Sequence, residues 1–232
     1  VPFSFNKKQY YLIDTAGMRR KGNISNYIEK ESVKRSIQAV YEASIIICIV
    51  DVTVGLTDQD IRLIQLAQKQ YKPILIIINK WDLIENKSTN KQRDYKNNIF
   101  QNKIRNADYI PMHFTSCLTN SRVSKIMSYV ETLLAQYEKK TPTAIINKIV
   151  DEITRKQPPR LIKSTLKRPK FYYTTQITKC PPTIIVKCNV PNELQISYKR
   201  YFIKQIRTQA GFNHIPLKVI FQDKHKKEDL IA

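Results

Sequence analysis

Glycine is scarce in this chain, with four in 232 residues, at positions 17, 22, 55 and 211. None is followed by Lys-Ser or Lys-Thr, so the G-x-x-x-x-G-K-[ST] loop, whose backbone amides cradle phosphates, is absent from the sequence as it stands. Acidic residues are also few, 19 against 40 Lys and Arg, which leaves a formal charge of +21. A polyanion is the partner that such a balance suits, nucleic acid first among them. Part of the charge is compositional: 28 lysines and 33 isoleucines against 12 arginines follow the drift of an AT-rich genome. No apolar run approaches the roughly 20 residues that cross a bilayer, so no membrane partner is expected. The four cysteines, Cys48, Cys117, Cys180 and Cys188, form no C-x-x-C pair. They read as free, mostly buried thiols of a reducing compartment.

Against this background four segments stand out as dense in apolar residues: Tyr10 to Ile13, Ile45 to Val50, Ile74 to Ile78 and Ile110 to Thr115. Continuous apolar runs, rather than alternation, mark strands buried on both faces of a parallel sheet. Between them the spacing predicts helices over 29–42 (Val33, Ile37, Val40), over 58–70 with Thr57 as cap (Ile61, Ile64, Ala67), and over 121–137 (Val123, Met127, Val130, Leu134). Strand alternating with helix implies a doubly wound α/β domain, whose ligands bind at the carboxyl ends of the strands.

Those ends carry the polar residues: "DTAG" after the first strand, Asp51 after the second, "NKWD" after the third and "TSCLTN" after the fourth. In N-K-x-D an aspartate such as Asp82 accepts from two neighbouring donors of guanine that adenine does not offer, and built polar sites of this kind discriminate by about 10⁴-fold. The stem of Lys80 can lie over the ring, and Asn79 can brace the adjoining loops. In D-x-x-G, Asp14 suits a water of Mg²⁺, and Gly17 lets a backbone N–H approach a terminal phosphate. Each tetrapeptide alone also reads as a turn or a cap. Their joint occurrence at strand ends, in this order, points to a nucleotide site.

"YYLIDTAGMRRKGNISNYIEKESVKRSIQAV" and "IINKWDLI" resemble the TRAFAC-class GTPases, and within them the second GTPase domain of the double-domain ribosome-assembly GTPases called Der or EngA. The resemblance runs over essentially the whole chain. It implies Mg²⁺ and phosphate contacts from Asp14 and Gly17, guanine contacts from Asn79, Lys80 and Asp82, and a loop at Ser116 and Cys117 that closes the base pocket. Cys117 replaces the alanine usual in the family, and Asn120 stands where a glycine is expected. Met18 matches a hydrophobic residue that implies slow intrinsic hydrolysis. Arg19, Arg20 and Lys21 would then lie on a mobile switch segment, or else on a solvated loop. In the family, the P-loop and the Mg²⁺-binding switch threonine precede the strand near Tyr10. The expectation is therefore a partial GTPase domain over 1–140, a longer parent carrying the cradle, and little nucleotide binding by the 232 residues alone.

Residues 141–232 carry a net charge of +12 against +9 for residues 1–140. Thr143 reads as the cap of a helix with Ile146, Ile149, Val150 and Ile153 on one face. A basic, proline-bearing linker follows. Then come strands over 171–177 and 183–190, a helix from about Glu193 to Ala210 stopped by Gly211, and a strand over 216–221. This order gives an α+β layer. Its last helix sets Arg200, Lys204 and Arg207 beside an apolar face of Phe202, Ile203, Ile206 and Ala210, a pattern suited to phosphate contacts or to plain solvation. "KFYYTTQITKCPPTIIVKCNVPNELQISYKRYFIKQIR" resembles the KH-like C-terminal domain of the Der/EngA family. No G-x-x-G clamp is present, so docking on rRNA or on a neighbouring domain fits better than single-strand reading. Tyr172, Tyr173, Tyr198 and Tyr201 suit either base stacking or the core.

The resemblance implies a GTP- and Mg²⁺-dependent GTPase that acts on the large ribosomal subunit and its rRNA as a monomer, in bacterial cytoplasm or in an organelle. The rival is a catalytically dead pseudo-GTPase that keeps only RNA or ribosome binding. A small-molecule enzyme is disfavoured, because His113, His214 and His225 are scattered without obvious partners.

Overall fold

A computed structural model describes residues 1–13, 34, 36–85, 88–104, 106–162, 166 and 168–224. The chain divides into two compact units, Val1–Leu134 and Ala135–Ala232.

The first unit opens with a hairpin in place of the buried parallel strand expected over Tyr10 to Ile13: Tyr11, Leu12 and Ile13 are exposed, and among the described residues this stretch pairs only with the strand before it. Strands β1 (Pro2–Phe5) and β2 (Lys8–Tyr11) pair antiparallel. Asn6 and Lys7 turn between them at φ 47° and 63°, the left-handed pair that matches the twist of two joined strands. The second sheet is parallel, in the order β3 (Ile46–Asp51), β4 (Ile74–Asn79), β5 (Met112–Phe114). The "ILIII" run lies in its centre. Ile74, Leu75, Ile76, Ile77 and Ile78 are all buried, as a strand covered on both faces requires. β3 is different, because Ile47 and Ile49 are 36% and 62% exposed. Among the described residues no strand pairs with the outer edge of β3.

Residues 36–42 form α1, the described end of the helix expected over 29–42. Val40 is buried there but Ile37 is exposed, so the expected stripe is only partly realised. Helix α2 (Asp58–Lys69) starts where the sequence predicts: Thr57 and Asp60 form a reciprocal capping box, and Ile64 and Ala67 reach the core. Helix α3 (Thr89–Asn98), capped by Ser88, buries no side chain of its own and continues into a π turn that carries Ile99 inward. Helix α4 (Ile126–Tyr137) follows a 3₁₀ turn and buries Val130 and Leu133, one position away from the expected Leu134.

In the second unit, helix α5 (Thr143–Lys156) buries Ile146, Ile149, Val150 and Ile153. Thr143 is not its cap. Pro142 holds that position, and the Thr143 hydroxyl meets the Thr175 hydroxyl at 3.0 Å. The sheet order is β6 (Phe171–Thr178), β7 (Thr183–Cys188), β8 (Lys218–Asp223), with β7 antiparallel to β6 and parallel to β8. Asn147 closes the outer edge of β6. Its amide donates to the Thr174 carbonyl at 3.0 Å, and its carbonyl accepts the Thr174 N–H at 2.8 Å. The outward N–H and carbonyl of Thr174, two of the groups that an edge strand leaves open to pairing, are thus satisfied.

Helix α6 (Ile196–Gln209) ends in a reciprocal C-terminal cap. The Phe212 N–H donates to the Arg207 carbonyl at 2.8 Å, the Gly211 N–H to the Thr208 carbonyl at 3.4 Å, and Gly211 sits at φ +76°. A Cβ there would come within 2.7 Å of the Lys139 ammonium, which bonds the Ala210 carbonyl at 2.8 Å. Gly211→Ala is therefore expected to destabilise the second unit by about 1–2 kcal/mol, from left-handed strain together with the displaced lysine. Thermal unfolding followed by circular dichroism measures it, and an unchanged midpoint would contradict the account.

Candidate functional site

The carboxyl ends of β3, β4 and β5 share one edge because the register is parallel and in step: Asp51 stands opposite Asn79, and Ile78 opposite Phe114. Loops leaving these strands bring Asp51, Asn79, Lys80, Asp82, Ser116 and Cys117 to that edge.

Trp81 anchors the third-strand loop. Its ring is buried against Phe114 (ring centroids 4.4 Å apart) and Tyr95 (5.8 Å), and its backbone N–H donates to the Thr115 carbonyl at 3.0 Å. One aromatic in the core thus fixes its two neighbours. Lys80 is held in the left-handed region at φ 62°, a conformation that costs a non-glycine residue of order 1 kcal/mol and recurs at functional sites. On the other side Asp82 is half-buried, and its Oδ1 is sealed from solvent with no hydrogen-bond partner among the described residues. A buried acceptor without a donor is unfavourable by about 1–3 kcal/mol, and more when charged. That oxygen meets a ligand's donors only when the side chain turns it outward, because it has no access to solvent where it lies.

Asn79 braces the fourth-strand loop, its Oδ1 accepting the Cys117 N–H at 3.1 Å. A base carbonyl seated at that amide would share the bond. The loop is closed by paired backbone bonds between Ser116 and Ser121 (3.2 and 2.9 Å) and by the Thr119 N–H donating to the Ser116 hydroxyl at 3.1 Å. Asn120 takes φ 52°, the glycine-like conformation that asparagine tolerates. His113 has a partner after all. It is buried, its Nε2 lies 2.9 Å from the Arg122 carbonyl, and its ring packs on Tyr129 at 4.8 Å. A carbonyl only accepts, so Nε2 carries the proton. The sequence offered no sign of this contact, since a lone histidine in a strand is silent about its neighbours.

A further residue that the motifs did not single out is Asp51. Its carboxylate is buried and accepts the Lys80 ammonium at 2.8 Å, the Thr53 hydroxyl at 2.7 Å and the Thr53 N–H at 3.0 Å. Lys80 foremost, then Thr53, hold its carboxyl well below the usual carboxylate range. The pair is therefore ionised at neutral and mildly acidic pH and is lost only in strong acid.

Asp14 and Gly17, with Met18 and the basic run Arg19, Arg20 and Lys21, lie outside the described residues. In the second unit Arg200 and Lys204 are exposed one turn apart on α6, while Arg207 is half-buried. Tyr198 is in the core, stacked near Phe171 at 6.3 Å, whereas Tyr172 and Tyr173 are each 47% exposed. Among the described residues no group of His, Cys, Asp and Glu gathers to hold a metal ion, and no helix is long and apolar enough to cross a membrane.

Comparison with known proteins gives two family matches. Residues 1–136 match the model for the elongation factor Tu GTP-binding domain, and residues 140–222 match the KH-domain-like C-terminal domain of EngA bacterial GTPase enzymes. Among curated relatives, GTPase Der of Syntrophotalea carbinolica is 35% identical over 233 residues, covering 98% of this chain and 51% of that protein. GTPase Der of Mycoplasma capricolum is 34% identical over 224 residues, covering 97% and 51%. The chain thus spans about half the length of the curated relatives it matches. The parallel sheet with its polar strand ends is a GTPase-type α/β domain and the second unit a KH-like α+β domain, and the chain belongs to the Der/EngA family of GTP-binding proteins.

Proposed function

We propose that this chain is the carboxyl-terminal part of a Mg²⁺-dependent GTPase that works on the large ribosomal subunit during its assembly, in the cytoplasm and as a monomer. The observation that carries the nucleotide half of this reading is the gathering of Asn79, Lys80 and the half-buried Asp82, on a turn fixed by Trp81, at the strand-end edge beside the Cys117 loop. Guanine presents two adjacent donors that a carboxylate such as Asp82 can accept. Lys80 covers the base, Asn79 holds the 116–121 loop against it, and Ser116 and Cys117 close the pocket. Asp14 and Gly17 would hold Mg²⁺ and the γ-phosphate, and bound GTP would supply the phosphoanhydride that water cleaves.

The phosphate cradle is not in these 232 residues. Among the described residues no strand pairs with the outer edge of β3, which supports a further strand of the full protein lying there. That strand would bring the cradle to the same edge. For the second unit, the net charge of +12 over residues 141–232 and the exposed pair Arg200 and Lys204 favour an rRNA surface.

Calorimetric titration of GTP, GDP and ATP with Mg²⁺ tests the reading, using the 232-residue chain and the full-length protein. Guanine-selective binding by the full-length protein, with little by the 232 residues, is the expected result. Absence of binding in both would leave an RNA-binding pseudo-GTPase and overturn the proposal.

A further inference from the structure

The loops at the strand ends raise a question about Lys80. A lysine that is to lie flat over a base must give up the freedom of a four-carbon stem, worth about 1.5–2 kcal/mol when it is fully ordered. Something has to hold its head. Lys80 leaves the end of β4, and its ammonium crosses to the end of the neighbouring strand β3, where it meets the Asp51 carboxylate at 2.8 Å. The lysine side chain remains 54% exposed while Asp51 is 7% exposed. The anchor is thus part of the protein interior and the stem is left in the open.

Asp51 is itself rigid. Thr53 binds Oδ1 through both its hydroxyl and its N–H, leaving Oδ2 for the lysine. The Asp51 carbonyl in turn accepts the N–H groups of Val54 and Gly55 at 3.1 and 2.8 Å, which fixes the turn after β3. The left-handed backbone of Lys80 (φ 62°) is thus bracketed by Trp81 in the core on one side and by an ion pair across the sheet on the other.

We infer that Asp51 is a positioning residue for the nucleotide site, pinning the Lys80 ammonium so that the lysine stem lies pre-ordered across the strand ends where a purine ring is received. This rests on the guanine-site reading above. Asp51 does not touch the base and acts only through Lys80. Its contribution is the ordering of one long side chain that binding would otherwise have to supply. The effect is on affinity for any nucleotide that uses the lysine stem. Preference for guanine over xanthine, which is the business of Asp82, is not altered.

The test is a double-mutant cycle in the full-length protein, with fluorescent mant-GDP as probe. Asp51→Asn keeps the acceptor for Thr53 and removes the charge, Lys80→Met keeps the stem and removes the ammonium, and the pair is combined. Asp51→Asn is expected to weaken mant-GDP binding about 3- to 10-fold in the parent. In the Lys80→Met background the same change is expected to be silent. An equal loss in both backgrounds makes Asp51 merely structural and overturns the inference, as does no loss in either. If Lys80→Met itself leaves affinity unchanged, holding the ammonium contributes nothing to nucleotide binding. If the unaltered protein does not bind mant-GDP, the guanine reading has failed at its root. Each of these last two results overturns the inference by a route distinguishable from the first two.

Discussion

Replacing Asp82 by asparagine in the full-length protein is expected to weaken GTP and GDP binding by on the order of 10³–10⁴-fold while xanthosine nucleotides gain. Asp82 is half-buried at the strand-end edge, and its Oδ1, sealed from solvent with no donor among the described residues, must turn outward before a base reaches it. Guanine brings an N1–H and an exocyclic amine, two donors for two oxygens. Asparagine turns one of those acceptors into a donor, so one bond is lost and two donors are forced together. The xanthine ring has a carbonyl where guanine has its amine, and so matches the amide. Binding and folding move in opposite senses here. A half-buried unpaired charge is unfavourable in the empty site, so Asp82→Asn is expected to leave the melting temperature unchanged or raise it. A variant that lost affinity only because it unfolded would lower it. Parallel titrations with GTP and xanthosine triphosphate, together with a melting curve, read out both effects. Unchanged selectivity would remove Asp82 from the base site.

The reasons that some of this was legible in the sequence and some was not lie in particular residues. The centre of the first sheet is legible because Ile74 to Ile78 are hidden on both faces, and burial of that kind leaves an unbroken apolar run. Helix α2 is legible because Thr57 and Asp60 sit three apart and cap one another. Helix α3 is not, since "TNKQRDYKNN" has a single apolar ring and no periodic stripe. It is carried by its Ser88 cap, by half-buried Tyr95 packed on Trp81 and Phe114, and by the π turn that buries Ile99. The first hairpin was hidden for a related reason. Its strands are four residues each, and its turn is Asn-Lys, where Asn-Gly would have signalled it.

The candidate site divides along similar lines. Residues whose role follows from local chemistry, such as Asn79, Lys80 and Asp82, are visible as a tetrapeptide. Asp51 and His113 act on partners brought to them by the fold. Asp51 is 29 positions before Lys80 and meets it only because β3 and β4 are in parallel register. His113 meets the Arg122 carbonyl only because the loop between them doubles back through the Ser116–Ser121 pair. Such pairings have no periodicity and no motif, so sequence reasoning sees two ordinary residues.

In the second unit the largest effect is expected from Phe202→Ala. Phe202 is fully buried in α6, with ring centroids 4.9 Å from Phe171, 5.5 Å from Phe221 and 6.2 Å from Tyr198. It therefore joins the helix to both outer strands of the sheet, β6 and β8. Removing such a ring costs roughly 3–5 kcal/mol, because the lost transfer energy is joined by a cavity that close-packed neighbours only partly fill. A small domain has about 5–15 kcal/mol in all. At about 4–8 °C per kcal/mol for a domain of this size, the midpoint of the second unit should fall by well over 10 °C. Phe202→Leu, which retains most of the volume, should lose far less. Trp81 is the only tryptophan and belongs to the first unit, so its fluorescence reports that unit alone while circular dichroism follows the whole chain. A circular dichroism midpoint lowered by less than about 4 °C in Phe202→Ala, the equivalent of under about 1 kcal/mol, would mean that the aromatic cluster does not hold the helix to the sheet. The larger fall has a functional consequence. The exposed Arg200 and Lys204 ride on the same helix, two positions either side of Phe202. A basic surface is only as well placed as the core beneath it, so the RNA binding proposed for this unit should be lost in Phe202→Ala at the temperature where the helix comes away, with both charges still present.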